Sequence, residues 1–129
     1  MTNIIEQAKI AQVQTAIDTY LKAVRDNDLL LLRSLFDPSA NVAHYHVKKD
    51  AVVSNSLDAF IDVIKSLHTK FSNAEERAEG VHIRIVGHLA SVELDFCFIM
   101  GDNQMRGTDL FNFAFQGGRW VIIHKSYWL

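Results

Sequence analysis

Residues Arg106 to Leu129 read RGTDLFNFAFQGGRWVIIHKSYWL, two runs of alternating apolar and polar residues meeting at Gly117-Gly118. Adjacent glycines between such runs signal a two-residue hairpin, because glycine adopts the positive φ of the tight turns without strain. A turn centred there sets Gln116 opposite Arg119, and then Phe115 with Trp120, Phe113 with Ile122, Phe111 with His124 and Asp109 with Ser126. All of these share one face. The other face, with Thr108, Leu110, Asn112, Ala114, Arg119, Val121, Ile123, Lys125 and Tyr127, is mixed in character, so the aromatic face is expected to be the buried one. Asp109, His124 and Ser126 are the polar exceptions on it, and they fall at the end away from the glycine turn.

Working back from the hairpin, Ala90, Val92, Leu94, Phe96, Phe98 and Met100 alternate with Ser91, Glu93, Asp95 and Cys97, and Val81, Ile83 and Ile85 alternate with His82 and Arg84. Gly87-His88 supplies the turn between these two strands. A turn at Asp102-Asn103 pairs Phe96 with Asp109, Leu94 with Phe111 and Val92 with Phe113, keeping the apolar sets on one side. The polar stretch Ser72 to Glu79 predicts a surface loop.

In the first half of the chain, Asn3 and Glu6 have the spacing of a helix N-cap and its partner, and Ile10, Val13, Ile17, Tyr20, Leu21 and Val24 recur at helical spacing up to about Arg25. Asp28 caps a second helix, Leu29 to Phe36, stopped by Pro38; its four consecutive leucines predict burial on more than one side. Ala40 to Val47 and Ala51 to Ser54 are strand-like, separated by Lys48-Lys49-Asp50. Asn55 or Ser56 then caps a third helix, whose Leu57, Phe60, Ile61, Ile64, Leu67 and Phe71 form one stripe. The expected fold is α+β: three helices from the first half of the chain laid against the apolar face of a strongly curved, mostly antiparallel sheet.

At 129 residues, the chain suits one domain, 1–129, with a real core. A hydrophobic content of 49% sets it apart from disordered sequences. A formal charge of -2 gives no electrostatic footprint for nucleic acid or an anionic membrane surface. No apolar run approaches the ~20 residues of a membrane span, and the first residues, MTNIIEQAK, lack the apolar core of a signal peptide. Cys97 is the one cysteine, which fits a reducing compartment, so a cytoplasmic location is expected. On its strand Cys97 has outward parity and reads as a passive surface or interface residue.

Several residues carry a family resemblance. Tyr20-Leu21 followed by Asp28, Phe36-Asp37-Pro38 ahead of the first strand, and Gly118-Arg119-Trp120-Val121-Ile122 near the end make the chain resemble the nuclear transport factor 2-like superfamily of cone-shaped α+β barrels. Trp120, Ile122 and Lys125, with Asp109-Leu110 and Ser56-Leu57-Asp58-Ala59-Phe60-Ile61-Asp62, look most like its putative lumazine-binding-like branch, near the SnoaL-like proteins. Asp37 stands where that branch often has histidine, so no role of that histidine carries over. The resemblance implies a deep pocket between the concave sheet face and the helices, and back-to-back packing of sheets into dimers.

The expected pocket end of the hairpin holds Asp109, Phe111, His124, Ser126 and Trp128, with Gly107 leaving room beside the indole. Tyr20, Phe60, Phe96 and Phe98 extend its apolar wall, Tyr20 serving either as lining or as plain core. A carboxylate on an apolar face is costly unless paired, so Asp109 with His124 forms either a proton-transfer pair or, with Ser126, a self-satisfied brace of the sheet. His44 and His46 have the spacing of two metal ligands on one strand, but two imidazoles alone do not define a site, and neither a metal nor a cofactor is expected. Phosphate-binding loops, nucleophile elbows and Cys-x-x-Cys or His-Glu-x-x-His motifs are absent.

Three function classes follow: a small-molecule-binding protein with an apolar pocket, the favoured one; an isomerase, dehydratase or cyclase acting through Asp109 and His124; and a protein-interaction module. The expected partners are a small apolar or aromatic ligand and a second copy of the chain, docked through an outer sheet face that carries Leu110, Ala114, Val121, Ile123 and Tyr127.

Overall fold

The computed structural model of the protein describes residues 3–129. Its elements run α1 (Ile4–Arg25), α2 (Leu29–Ser34), β1 (Phe36–His46), β2 (Ala51–Ser56), α3 (Leu57–Lys70), β3 (Ala74–Val86), β4 (Leu89–Met100), β5 (Asn103–Gln116) and β6 (Arg119–Trp128). One curved, unclosed sheet has the order β2-β1-β6-β5-β4-β3, antiparallel throughout except where β1 runs parallel to β6. The expected α+β order is the one observed.

The helix starts are set by side-chain caps. Asn3 Oδ1 accepts from Glu6 N at 2.7 Å, Asp28 Oδ1 from Leu31 N at 3.1 Å, and Ser56 Oγ from Ala59 N at 3.1 Å. Each satisfies a backbone donor that the first helical turn leaves without a partner. Val13, Ile17 and Tyr20 of α1 and Phe60, Ile61 and Ile64 of α3 meet Val92, Leu94, Phe111, Phe113 and Ile122 of the sheet in one core. At the glycine-turn end the core is closed, and the Trp120 indole donates to Gln12 of α1 at 3.0 Å.

Local expectations needed three corrections. Helix α2 ends at Ser34, and β1 already begins at Phe36, running through Pro38, whose missing N–H the strand tolerates there. Of the four leucines of α2, Leu32 is buried, Leu29 and Leu31 are partly buried against the core, and Leu30 alone is exposed. The β4–β5 turn centres on Gly101-Asp102, with Gly101 at φ +61°, so Leu94 pairs with Asp109, Val92 with Phe111 and Ala90 with Phe113. That is a two-residue slip, and an even slip keeps every side chain on its expected face. Finally, the polar stretch before Val81 is strand: β3 starts at Ala74, a length hidden by its lack of apolar alternation.

Two β-bulges matter more. On β6, Phe113 pairs with Ile122 as expected, but Asn112 then pairs with His124, leaving Ile123 without a partner. On β3, Gly80 pairs with Asp95 and Ala78 with Phe96, leaving Glu79 as the extra residue. An inserted residue exchanges the two faces of the strand beyond it. Past Ile123, Lys125 and Tyr127 turn inward and His124, Ser126 and Trp128 outward, reversing the expected parity. Past Glu79, Glu76 turns inward. The Arg106 guanidinium grips the Glu79 carboxylate from β5, at 3.0 Å through Nε and 3.2 Å through Nη2.

Candidate functional site

The inward turns bring four polar side chains together under α1: Tyr20, Glu76 from β3, Asp109 from β5 and Lys125 from β6. None is more than 5% exposed, so water does not hydrate their charges and they must satisfy one another. Lys125 Nζ donates to the Tyr20 hydroxyl at 2.8 Å and lies 3.6 Å from Asp109 Oδ1. The same ammonium sits 4.7 Å from the Phe60 ring centroid, 5.2 Å from that of Tyr20 and 5.3 Å from that of Tyr127, so aromatic faces replace part of its lost hydration.

Glu76 Oε2 and Asp109 Oδ2 are both buried without a hydrogen-bond partner among the described residues. Two neighbouring carboxylates beside one ammonium leave a negative charge unbalanced. Burial, and then the charge and hydrogen bonding of Asp109, push the Glu76 carboxyl well above its ordinary range, with Lys125 pulling weakly the other way. Glu76 is therefore held neutral, Asp109 pairs with Lys125, and one proton between the two carboxyls supplies the donor that both orphaned oxygens lack. Burial, followed by the Glu76 and Asp109 charges, also raises the Tyr20 phenol, which stays neutral.

This cluster lines a cavity of about 230 Å³ between the sheet and α1 and α3. Phe96, Phe98 and Ile64 give it an apolar wall, and exposed Val63, Met105 and Leu129 mark its mouth. Gly107 guards the same region: a Cβ there would stand 2.3 Å from the Trp128 carbonyl oxygen and 2.8 Å from the Phe96 ring. The room that Gly107 leaves is thus filled by backbone of the last strand rather than by an indole.

Of the residues expected at a pocket, Tyr20, Phe60, Phe96, Phe98 and Asp109 line this cavity. Phe111 lies behind it in the core, edge-on to Tyr20 at 5.1 Å between ring centroids. His124, Ser126 and Trp128 are on the far side of the sheet, so the structure does not bring His124 to Asp109. His124 Nδ1 is 2.9 Å from Asn41 Oδ1, Trp128 stacks on Tyr45, and His124 and Ser126 border an open outer groove of about 450 Å³. That groove is larger in volume but lies on the outer face of the sheet; the smaller cavity holds the desolvated groups.

Glu76, Lys125 and Tyr127 are the site residues that sequence reasoning missed. The one signal for Lys125 was the run Val121-Ile122-Ile123, three apolar residues in succession, which breaks the alternation without showing which residue is the extra one.

His44 and His46 share the inward parity of buried Val42, and their rings are engaged separately. His44 stacks on Tyr127 at 4.8 Å between ring centroids, and His46 Nδ1 accepts from Lys49 N at 3.2 Å in the turn. His82 does face Glu93 on the outer surface, and their potential ligand atoms lie within 4.8 Å of one another and of one on half-buried Asp95, which also accepts from the Thr108 hydroxyl at 2.8 Å. Cys97 is buried rather than superficial, because its cross-strand neighbours Arg77 and Arg106 cover a small side chain. No helix among the described residues is long and apolar enough to cross a membrane.

A curved α+β sheet with three helices on its concave side is the architecture of the nuclear transport factor 2-like superfamily, SnoaL-like proteins included. Within it, the chain belongs to the family described as "Putative lumazine-binding", which matches residues 8–128. An NTF2-like protein of unknown function from Shewanella baltica OS155 is 26% identical over 99% of this chain and 97% of its own, with a TM-score of 0.75. A putative scytalone dehydratase from Novosphingobium aromaticivorans DSM 12444 shares the fold at 14% identity and a TM-score of 0.79, covering 94% of this chain and 83% of its own. So does a putative dehydratase of the NTF2-like family from Streptomyces avermitilis, at 16% identity and 0.72, covering 94% and 95%. No curated protein matches the sequence. The fold is thus one associated with ligand binding and with enzymes, without a specific activity attached.

Proposed function

We propose that the protein binds a small, largely apolar or aromatic molecule in the cavity beneath α1 and α3. The observation that carries this reading is the composition of the cavity: an apolar wall interrupted by one buried cluster, Tyr20, Glu76, Asp109 and Lys125. Apolar surface supplies affinity to such a site, and a few convergent polar groups orient the guest. A thermal-shift series with toluene, indole and naphthol tests it. A saturating ligand at one hundred times its Kd adds about 2.7 kcal/mol of stability, so a binder shows a plain rise in Tm. No rise with any member of the series counts against the proposal.

A second reading, a proton-transfer enzyme of the isomerase or dehydratase kind, is favoured by one observation: a carboxyl held neutral at Glu76 stands beside Asp109 paired with an ammonium. Acid and base separated in this way suit general acid-base chemistry. Two relatives of the same fold carry dehydratase in their names. In this reading Asp109 keeps its role, and Glu76 takes the place first assigned to His124. Asp109→Asn would abolish turnover while leaving an apolar guest bound.

We further propose that the outer sheet face docks a second copy of the chain and that the protein works in the cytoplasm. Leu110, Ile123, Tyr45, Val52 and Trp128 are exposed on that face, more apolar surface than a lone sheet usually offers to water.

A further inference from the structure

We propose that the outer face of the sheet holds a site for a divalent metal ion of the zinc type, formed by His82 of β3 with Glu93 and Asp95 of β4. It lies across the sheet from the cavity and is independent of how that cavity is read.

The strand register builds the site. His82 and Glu93 are direct cross-strand partners, and Asp95 stands two residues further along β4 on the same face. One ligand atom from each, an imidazole nitrogen and two carboxylate oxygens, lies within 4.8 Å of the other two. An ion set among atoms so spaced is no more than about 2.8 Å from each, and small rotations of the exposed His82 and Glu93 side chains shorten that to the roughly 2.0–2.2 Å of zinc bonds.

Asp95 is already held in place. Its Oδ1 accepts from the Thr108 hydroxyl of β5 at 2.8 Å, the kind of outer contact that orients a metal-binding carboxylate. Its Oδ2 lies 3.4 Å from where a Cβ at Gly80 would stand, so the glycine opposite leaves that oxygen uncovered. Charge points the same way. Neither Glu93 nor Asp95 has an ion pair among the described residues: Arg106, two positions from Thr108 on β5, is taken by Glu79, and Arg84 lies one pair beyond His82, opposite Ser91. Two carboxylates on one face repel each other, and a dication between them removes that repulsion.

The donor set selects the ion. An imidazole with two carboxylates suits zinc and its first-row neighbours, whereas magnesium and calcium favour oxygen alone. Three protein ligands leave a fourth tetrahedral position for water. His82 and Glu93 also border the outer groove of about 450 Å³, so that open position adjoins it.

Titration calorimetry of ZnCl2 into untagged, EDTA-treated and desalted protein at about pH 7.5 tests the site. The expected result is one equivalent bound with a Kd on the order of micromolar, tenfold or more weaker in His82→Ala and in Glu93→Gln, and roughly tenfold weaker in Thr108→Val, which frees Asp95. Millimolar MgCl2 should not compete. His46→Ala, the control for the imidazole pair on β1, should bind zinc as the parent does. A readout that needs no variant is Co2+ added to isotope-labelled protein, with paramagnetic broadening expected to centre on the amide signals of His82, Glu93 and Asp95. Absence of saturable zinc binding, an affinity unchanged in His82→Ala, or broadening centred on His44 and His46 overturns the proposal.

Discussion

Lys125 Nζ donates to the Tyr20 hydroxyl over 2.8 Å, tying the last strand to the first helix across 105 positions of chain. The same ammonium faces Asp109, so the bond belongs to a buried ion pair whose removal on one side leaves a bare charge on the other. Breaking such a pair from one side costs about 3–5 kcal/mol, while replacing both partners with apolar groups of similar volume is close to neutral. Lys125→Met should therefore lower the urea-unfolding free energy by about that amount, and the double variant Lys125→Met, Asp109→Leu should regain most of it. Equal stabilities of the two variants would show that the pair is not coupled.

Glu76 gives the protein a pH signature. Its carboxyl is raised in the folded state by burial and by Asp109, so between its ordinary value, 4.5, and the folded value the native protein binds more protons than the unfolded chain. Stability therefore falls as pH rises through that window, opposite to the behaviour of an ion-paired carboxylate. Glu76→Gln keeps the neutral shape and should flatten this slope, leaving the variant more stable than the parent on the alkaline side. Melting curves from pH 5 to 9 on both proteins read out the difference.

Gly107→Ala places a methyl group 2.3 Å from the Trp128 carbonyl oxygen and 2.8 Å from the Phe96 ring. Backbone on one side and an aromatic wall on the other leave it nowhere to go, so β6 must separate from β5 near the cavity mouth. A loss of about 1–3 kcal/mol is expected from such overpacking, with faster hydrogen exchange at Thr108 and Trp128 than in the parent. Unchanged exchange there would mean the strands accommodate the methyl group.

Leu110, half exposed at the middle of β5, tests the outer face. Leu110→Glu should convert a dimer into a monomer at micromolar concentration in light scattering, while thermal shifts with cavity ligands persist, since the residue points away from the cavity. A wild-type protein that is already monomeric removes the basis for this docking face.

Much of the architecture was legible because local rules agreed: three caps at Asn3, Asp28 and Ser56, helical stripes after each, and a glycine turn with matched aromatic runs. Asp109 was legible too, since a carboxylate among Leu94, Phe111 and Phe113 has to be paired. Lys125 and His124 exchanged places because alternation counts residues, and the count is correct only until one strand contains a residue its neighbour lacks. Nothing in Val121-Ile122-Ile123-His124 says which of two isoleucines is the extra one. Glu76 was hidden more deeply, in the stretch Ala74-Glu75-Glu76-Arg77-Ala78-Glu79, whose charge resembles that of a solvated loop.

The extra residues at Glu79 and Ile123 have one more consequence. Deleting either would swap inside for outside along the rest of its strand, expelling Glu76 in one case or Lys125 in the other, without altering a single remaining side chain. The interior chemistry of this sheet is thus set by chain length as much as by residue identity. Kindred proteins that gain or lose one position at these two points will present different functional groups to the same hollow, and alignments that place the gap one residue away will assign them the wrong ones.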